Sequence, residues 1–217
     1  MKLSIGQFSF IPEGLLQPTF SDRYSQFVER LSWQLPQQEV GREIDQYDDP
    51  HTTYIIVEDK GTHLASCRIR EFGHSTMLTD HFSHIFPEVH DLFDGQPGRF
   101  FELTRLCKSR DLGPRDSFEA LGLLGNALDY IKFDTMAEGF VAIVYRTVTR
   151  LLKLRGVRFL ILSRSQIDSK NVDLLLLLNF AGASNLSFKE VAVLRGQFDF
   201  WQTPTVDENG NFKDARE

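Results

Sequence analysis

Residues 43–71 read EIDQYDDPHTTYIIVEDKGTHLASCRIRE, and this stretch decides the fold. β-branched and aromatic residues fill Thr53–Glu58 and apolar residues recur through His63–Glu71. Between them stand the turn formers Asp59, Lys60 and Gly61, so the run reads as a β-hairpin. Ahead of it, Glu43, Asp45, Asp48 and Asp49 crowd a segment closed by Pro50. Asp and Pro end regular structure, so this segment is a loop. Carboxylates packed this densely against a buried hairpin call for cations, and the nearest ones lie inside other elements.

Working outward, Phe20, Tyr24, Phe27, Val28 and Leu31 fall at helical spacing, with Thr19 or Ser21 as the cap, so a helix is expected over 20–31. Arg23 and Phe27 share one of its faces. Downstream, RFFELTRLCK (99–108) is a strand, Phe118 to Ile131 is helical, and GFVAIVY (139–145) is a buried strand. TVTRLLKLRG is a short helix ended by Gly156, VRFLILS is a strand, and FKEVAVLRGQF closes the sheet. An early helix and hairpin followed by β-α-β predict an α/β protein with a mixed sheet and helices on both faces. No repeat or linker divides the chain, so one domain is expected, with a core over about 3–200 and a polar tail at 203–217.

The chain has 217 residues, 41% hydrophobic and 25% charged, which suits one large core. A net charge of -6 excludes bulk attraction to nucleic acid. Phe is abundant, at 19 residues against 2 Trp and 5 Tyr, and it supplies apolar area for a core or an apolar ligand pocket. Cys67 and Cys107 sit inside strand-like runs and read as free thiols in a reducing compartment. The opening MKLSIGQFSF has no secretory pattern, and the longest apolar stretch, VDLLLLLNFAG, is too short and interrupted to span a bilayer. A cytoplasmic protein without a membrane span is expected. All six histidines fall between His51 and His90, but LTDHFSHIFPE lacks the i, i+4 helical pair of a metal site, so neither metal nor cofactor is expected.

Charges inside strands carry the functional signal. In FFELTRLC, alternation puts Phe100, Glu102, Thr104 and Leu106 on one face and Phe101, Leu103, Arg105 and Cys107 on the other. Glu102 and Arg105 therefore point apart unless a bulge intervenes. A desolvated charge is costly unless paired, so Arg23, Arg68 and Arg105 are expected to answer Asp45, Asp48 and Glu102. The plain alternative is a set of surface ion pairs, each contributing about 0–1 kcal/mol.

At these residues the chain resembles the acyl-homoserine-lactone synthases, the LuxI-type autoinducer synthases. RYSQFVERLSW carries Arg23, Phe27 and Trp33 at that family's spacing, and DQYD carries its Asp-x-x-Asp as Asp45 and Asp48. CRIR supplies Arg68, MLTDHF supplies Phe82, and ELTR supplies Glu102 and Arg105. The resemblance covers roughly residues 20–108 and is looser beyond, where Val144 stands at a position that is Thr in many members preferring 3-oxo chains. It implies a GNAT-like three-layer αβα sandwich with a mixed, mostly antiparallel central sheet. It also implies a reaction between S-adenosylmethionine, a substrate and not a cofactor, and an acyl thioester on acyl carrier protein or CoA. Glu102 would be the general base, acting directly or through water, with Asp45, Asp48, Arg68 and Arg105 completing the catalytic set. Arg23, Phe27 and Trp33 would bind S-adenosylmethionine, the two rings enclosing its adenine or sulfonium. Phe82, Phe101, Thr104 and Val144 would contact substrate.

Acyl carrier protein is acidic. From Arg146 to Lys170 the chain holds seven basic residues and one acid, a local charge of +6 on an acidic protein. Arg150, Lys153, Arg155 and Arg158 are the expected docking residues; a solvated helix face is the bland alternative. A competing function is a GNAT-type N-acyltransferase using acyl-CoA on another amine. RDLGPR supplies Arg110 and Gly113 of that family's pyrophosphate motif, but Arg115 replaces its final small residue.

Overall fold

The computed structural model describes residues 1–33, 35, 39–93 and 98–180, and the backbone of 191–194. The described residues form two compact units, one of residues 1–68, 105–124 and 191–194, the other of 69–104 and 125–180. Both are α/β, and their ladders are mixed but mostly antiparallel.

In the first unit, β1 (Lys2–Gln7) pairs antiparallel with β2 (Thr52–Asp59), from Lys2↔Glu58 to Gln7↔Thr53. β3 (Thr62–Glu71) lies on the other side of β2. Lys60 and Gly61 both have positive φ, 51° and 83°, the backbone a two-residue hairpin turn requires. β8 (Val191–Leu194) pairs parallel with β1. Helix α1 (Glu13–Arg23) starts seven residues before the expected Phe20 and carries Pro18 inside it. Proline is a helix breaker in sequence reading, which is why the first turns were not anticipated. The chain then widens into π-type turns over Tyr24–Arg30. Ile11, Leu16, Phe20, Tyr54 and Ile56 form this unit's apolar cluster. Cys67 and Cys107 are buried and free; burial pushes the Cys107 thiol up to about 12 and the Cys67 thiol higher still, so neither is a reactive thiolate.

In the second unit the order is β6 (Arg158–Ile167), β7 (Lys170–Asn179), β5 (Gly139–Tyr145) and β4 (Phe100–Lys108). β4 and β5 are parallel, and their ladder spans Phe100↔Gly139 to Glu102↔Val141. β7 is VDLLLLLN, buried on both faces, which is why its leucine run shows no alternation. On one face of these strands, Val141, Val172 and Leu174 pack with Leu78, Phe86, Val89 and Phe93, the last two on α2 (Glu88–Phe93). On the other, Phe140 packs on Phe180, which lies 3.1 Å from the Cβ position of Gly125 in α3 (Pro114–Asp134). Helix α3 extends beyond the expected Phe118–Ile131 because Pro114 is tolerated in a first helical turn. Helix α4 (Arg146–Leu154) is tied down by buried Asp173, which accepts from Thr149 Oγ1 at 2.8 Å and Arg146 Nε at 3.2 Å. Among the described residues, no helix is long and apolar enough to cross a membrane.

Gly139 is closely packed. A Cβ there would meet Leu177 O at 2.6 Å and Leu176 Cδ1 at 2.9 Å. Gly139→Ala is expected to cost about 1–3 kcal/mol by overpacking, read as a lowered urea midpoint at unchanged slope. An unchanged midpoint would mean that the β5–β7 contact yields freely.

Candidate active site

The acidic loop finds its cations within the first unit. Arg23, at the end of α1, is fully buried. Its Nε donates to Glu43 Oε2 at 2.5 Å, and its two terminal nitrogens fork onto Asp48, each at 3.0 Å. Arg68 on β3 forks onto Asp45 at 2.6 and 2.8 Å and reaches Asp48 Oδ1 at 2.6 Å. Arg105 on β4 donates to Glu43 at 2.9 Å and to Asp45 Oδ2 at 2.7 Å. The six groups close a ring in which cation and anion alternate: Arg23, Glu43, Arg105, Asp45, Arg68, Asp48 and back. Tyr54 on β2 stands beside the Arg23–Asp48 fork, accepting from Arg23 at 2.7 Å and donating to Asp48.

The loop is shaped for this. Asp48 Oδ2 accepts from the Asp45 backbone N–H at 2.8 Å, and Asp45 Oδ1 accepts from Tyr47 N–H at 2.9 Å. Each carboxylate thus orders its own loop while facing an arginine. Arg105 has a left-handed backbone, φ 52°, an uncommon conformation for a residue other than glycine.

Charge pairing outweighs burial at Asp45, Asp48, Arg23 and Arg68. Burial alone would raise the Asp48 carboxyl, but Arg23 and Arg68 hold it well below the usual carboxylate range. Asp45 is lowered in the same way, against burial, by Arg68 and Arg105. Burial also opposes the charges of Arg23 and Arg68, yet their acidic neighbours hold both guanidinium groups above the ordinary arginine value. Tyr54 is pushed up, first by burial and then by Asp48. The side chain of Asp45 is 16% exposed, against 3% for Glu43 and 0% for Asp48, so Asp45 is the carboxylate of the ring most open to a ligand.

Phe27 and Trp33 stack on each other at 4.7 Å and 27°. Ser32, at φ 55°, turns the chain back so that Trp33 N–H reaches Phe27 O at 2.9 Å. The Arg105 guanidinium lies 5.5 Å from the Phe27 centroid and 5.6 Å from that of Trp33. The two rings therefore do not enclose a slot in this state: a ligand uses an outer face or parts them.

In the second unit Glu102 is buried and its oxygens accept from Leu78 N–H at 2.7 Å and Met77 N–H at 3.1 Å. The wide turn Leu78–Phe82 thus begins on an anion. Phe82 packs against the apolar cluster of α2. Phe101 and Val144 lie on the opposite face of their strands, Phe101 6.1 Å from Phe140 and Val144 in register with Asp173. Thr104 is half-buried. Arg150, Lys153 and Arg158 are exposed and Arg155 is half-buried. Arg146 and Arg164 are answered by Asp173, at 3.2 and 3.7 Å, so the free positive charge of this segment is smaller than its sequence implies.

Sequence reasoning missed Glu43 and Tyr54 as site residues. The charge pattern pointed to Glu102 as the third anion for the three arginines, but Glu43 takes that place in the ring; its position in the same loop as Asp45 and Asp48 was the available signal. Tyr54 gave none beyond its place on a buried strand.

Removing one member of a buried pair costs about 3–5 kcal/mol, so Asp48→Asn is expected to destabilise the protein by that order. Combined with Arg68→Gln it is expected to be non-additive in a double-mutant cycle. The lowered carboxyls give stability that is full above about pH 4, their unfolded value, and is lost as pH falls through their folded values. Urea midpoints across an acid series should therefore fall below about pH 4 in the wild type and fall less in Asp48→Asn.

The autoinducer synthase family model matches residues 9–188. An acyl-homoserine-lactone synthase of Yersinia enterocolitica is 31% identical over 178 residues, 81% of each chain. The fold is that of a CoA-dependent acyl-homoserine lactone synthase, BjaI, solved with SAM and isopentyl-CoA, at a TM-score of 0.75 and 17% identity over 91% of this chain and 95% of that one. An acyl-CoA N-acyltransferase from Pseudomonas aeruginosa shares it at 0.54 and 14% identity, over 80% of this chain and 97% of that one. With the family model matching residues 9–188 and a relative 31% identical over 81% of its length, the chain belongs to the autoinducer synthase family.

Proposed function

We propose that this chain is an acyl-homoserine-lactone synthase that acylates S-adenosylmethionine from an acyl thioester and closes the lactone. The observation that carries the reading is the closed ring of Arg23, Glu43, Arg105, Asp45, Arg68 and Asp48, with Phe27 and Trp33 against Arg105. A neutral, pre-paired ring can exchange one internal contact for a substrate charge without leaving a buried ion unpaired. Asp45, the most exposed of its three carboxylates, takes the substrate ammonium. Arg68 and Arg105, both bound to Asp45, take the carboxylate. Trp33 and Phe27 offer an outer ring face to the sulfonium or adenine.

Chemistry follows from the groups required. The ammonium loses a proton to Glu102, directly or through water, because only the free amine attacks a thioester. Each Glu102 oxygen accepts one backbone N–H. The amine nitrogen bonds to the acyl carbon and the C–S bond breaks, releasing the carrier thiol. The carboxylate oxygen then bonds to the γ-carbon of the methionine part. Its bond to sulfur breaks, and methylthioadenosine leaves as a neutral thioether. For the donor we propose acyl carrier protein, docked through Arg150, Lys153, Arg155 and Arg158, and a cytoplasmic setting. The relative solved with isopentyl-CoA makes CoA the donor to test against.

Purified protein given S-adenosylmethionine and acyl donors of graded chain length should release lactone-bearing amide and methylthioadenosine one for one by mass spectrometry. N-acyl products without methylthioadenosine would favour a plain N-acyltransferase instead. Glu102→Gln should lower kcat by roughly 10²–10⁴-fold with little change in the KM for S-adenosylmethionine, whereas Trp33→Ala should raise that KM. Lys153 and Arg155 reversed to Glu, or added salt, should raise the KM for acyl carrier protein more than that for acyl-CoA. Equal turnover of both donors across the salt series would remove the docking assignment.

A further inference from the structure

The first unit holds a cleft of about 410 Å³ lined by Asp22, Ser25, Gln26, Glu29, Arg30, Lys108, Ser109 and Arg110. That volume lies in the small-molecule range of roughly 300–1,000 Å³. Its helical residues fall three or four apart, on a different face of the chain from Arg23 and Phe27, and no residue of the charged ring lines it. The walls are fixed to each other. Gln26 Nε2 donates to Leu106 O at 2.8 Å, and Lys108 N–H donates to Gln26 Oε1 at 3.4 Å.

The charges divide into engaged and free. Asp22 is held by His63 Nδ1 at 2.6 Å, itself backed by Ser66. Glu29 accepts the Ser25 hydroxyl at 2.8 Å. The Lys108 ammonium donates to Ser109 O and Leu112 O. Among the described residues, the guanidinium groups of Arg30 and Arg110 make no hydrogen bond or ion pair. Two unpaired planar forks around one cleft, with the Ser109 hydroxyl between the basic positions, suit an oxyanion with several acceptor atoms. The carboxylate oxygens of Asp22 and Glu29 that remain can accept the hydroxyl or ammonium groups of the same ligand.

We propose that this cleft is a second binding site, taking a small phosphate ester between Arg30 and Arg110. Such a ligand would join the segment 22–30 to the chain leaving β4, the same two pieces that Gln26 already links. A free metabolite and the phosphates of coenzyme A present the same chemistry. The binding itself does not depend on the reaction proposed above.

Titration calorimetry with inorganic pyrophosphate, adenosine monophosphate and coenzyme A needs no turnover, so it succeeds or fails apart from the synthase reading. At least one probe is expected to bind the wild type, and about 10–100-fold more weakly to Arg30→Gln/Arg110→Gln, the loss expected for charged hydrogen bonds. Arg115→Gln, an exposed neighbour outside the cleft, should bind as the wild type does. Binding of the free phosphates alone identifies a metabolite site; competition of coenzyme A with pyrophosphate identifies the donor's phosphates as the source. Absence of binding by all three probes at millimolar concentration, or equal binding by the double variant, overturns the proposal.

Discussion

Electroneutrality of a buried ring governs the first unit. Three guanidinium groups and three carboxylates alternate, each cation touching two anions, so any odd number of replacements leaves an unanswered charge in a dry setting. The constraint reaches well beyond the acidic loop. It dictates where α1 ends, because Arg23 must point into the ring. It holds β3 and β4 at the distance that Asp45 spans between Arg68 and Arg105. It also gives buried Tyr54 a polar partner for its hydroxyl on an otherwise apolar strand.

The second unit solves the same problem with single anions. Glu102 is met by two backbone amides at the start of a turn, and Asp173 by a threonine hydroxyl and two arginines of differing exposure. Backbone amides that face a buried carboxylate stay in place when its charge changes, which suits a group assigned to receive and return a proton. Asp173 does the opposite work: it fixes α4 and neutralises basic side chains that would otherwise add to an exposed positive face.

Much of this was legible in residue order because local rules sufficed. The hairpin from Thr53 to Glu71 announced itself by alternation and a turn, and the ring's arginines by being charges stranded in apolar runs. What was not legible depended on tertiary context. Proline at position 18 hid the start of α1, and the leucines of β7 lack periodicity because both faces are covered. Glu43 looked like one acid among four until three arginines converged on the loop. The stacking of Phe27 on Trp33 depends on the left-handed backbone of Ser32, which no residue preference advertises. Phe101 and Val144 share a face with neither Phe82 nor Glu102, a distinction that required the strand register.

The wide turns over Tyr24–Arg30 have a consequence for insertions and deletions. Such turns hold one residue more per hydrogen-bonded loop than an α-helix does. Neighbouring residues in a regular helix are rotated by about 100°, so shortening this segment by one residue would swing Phe27 away from Trp33 and Arg105 while Arg23 stayed in place. Within this segment the count of residues between Arg23 and Trp33 is therefore under tight control, whatever side chains fill its outward positions.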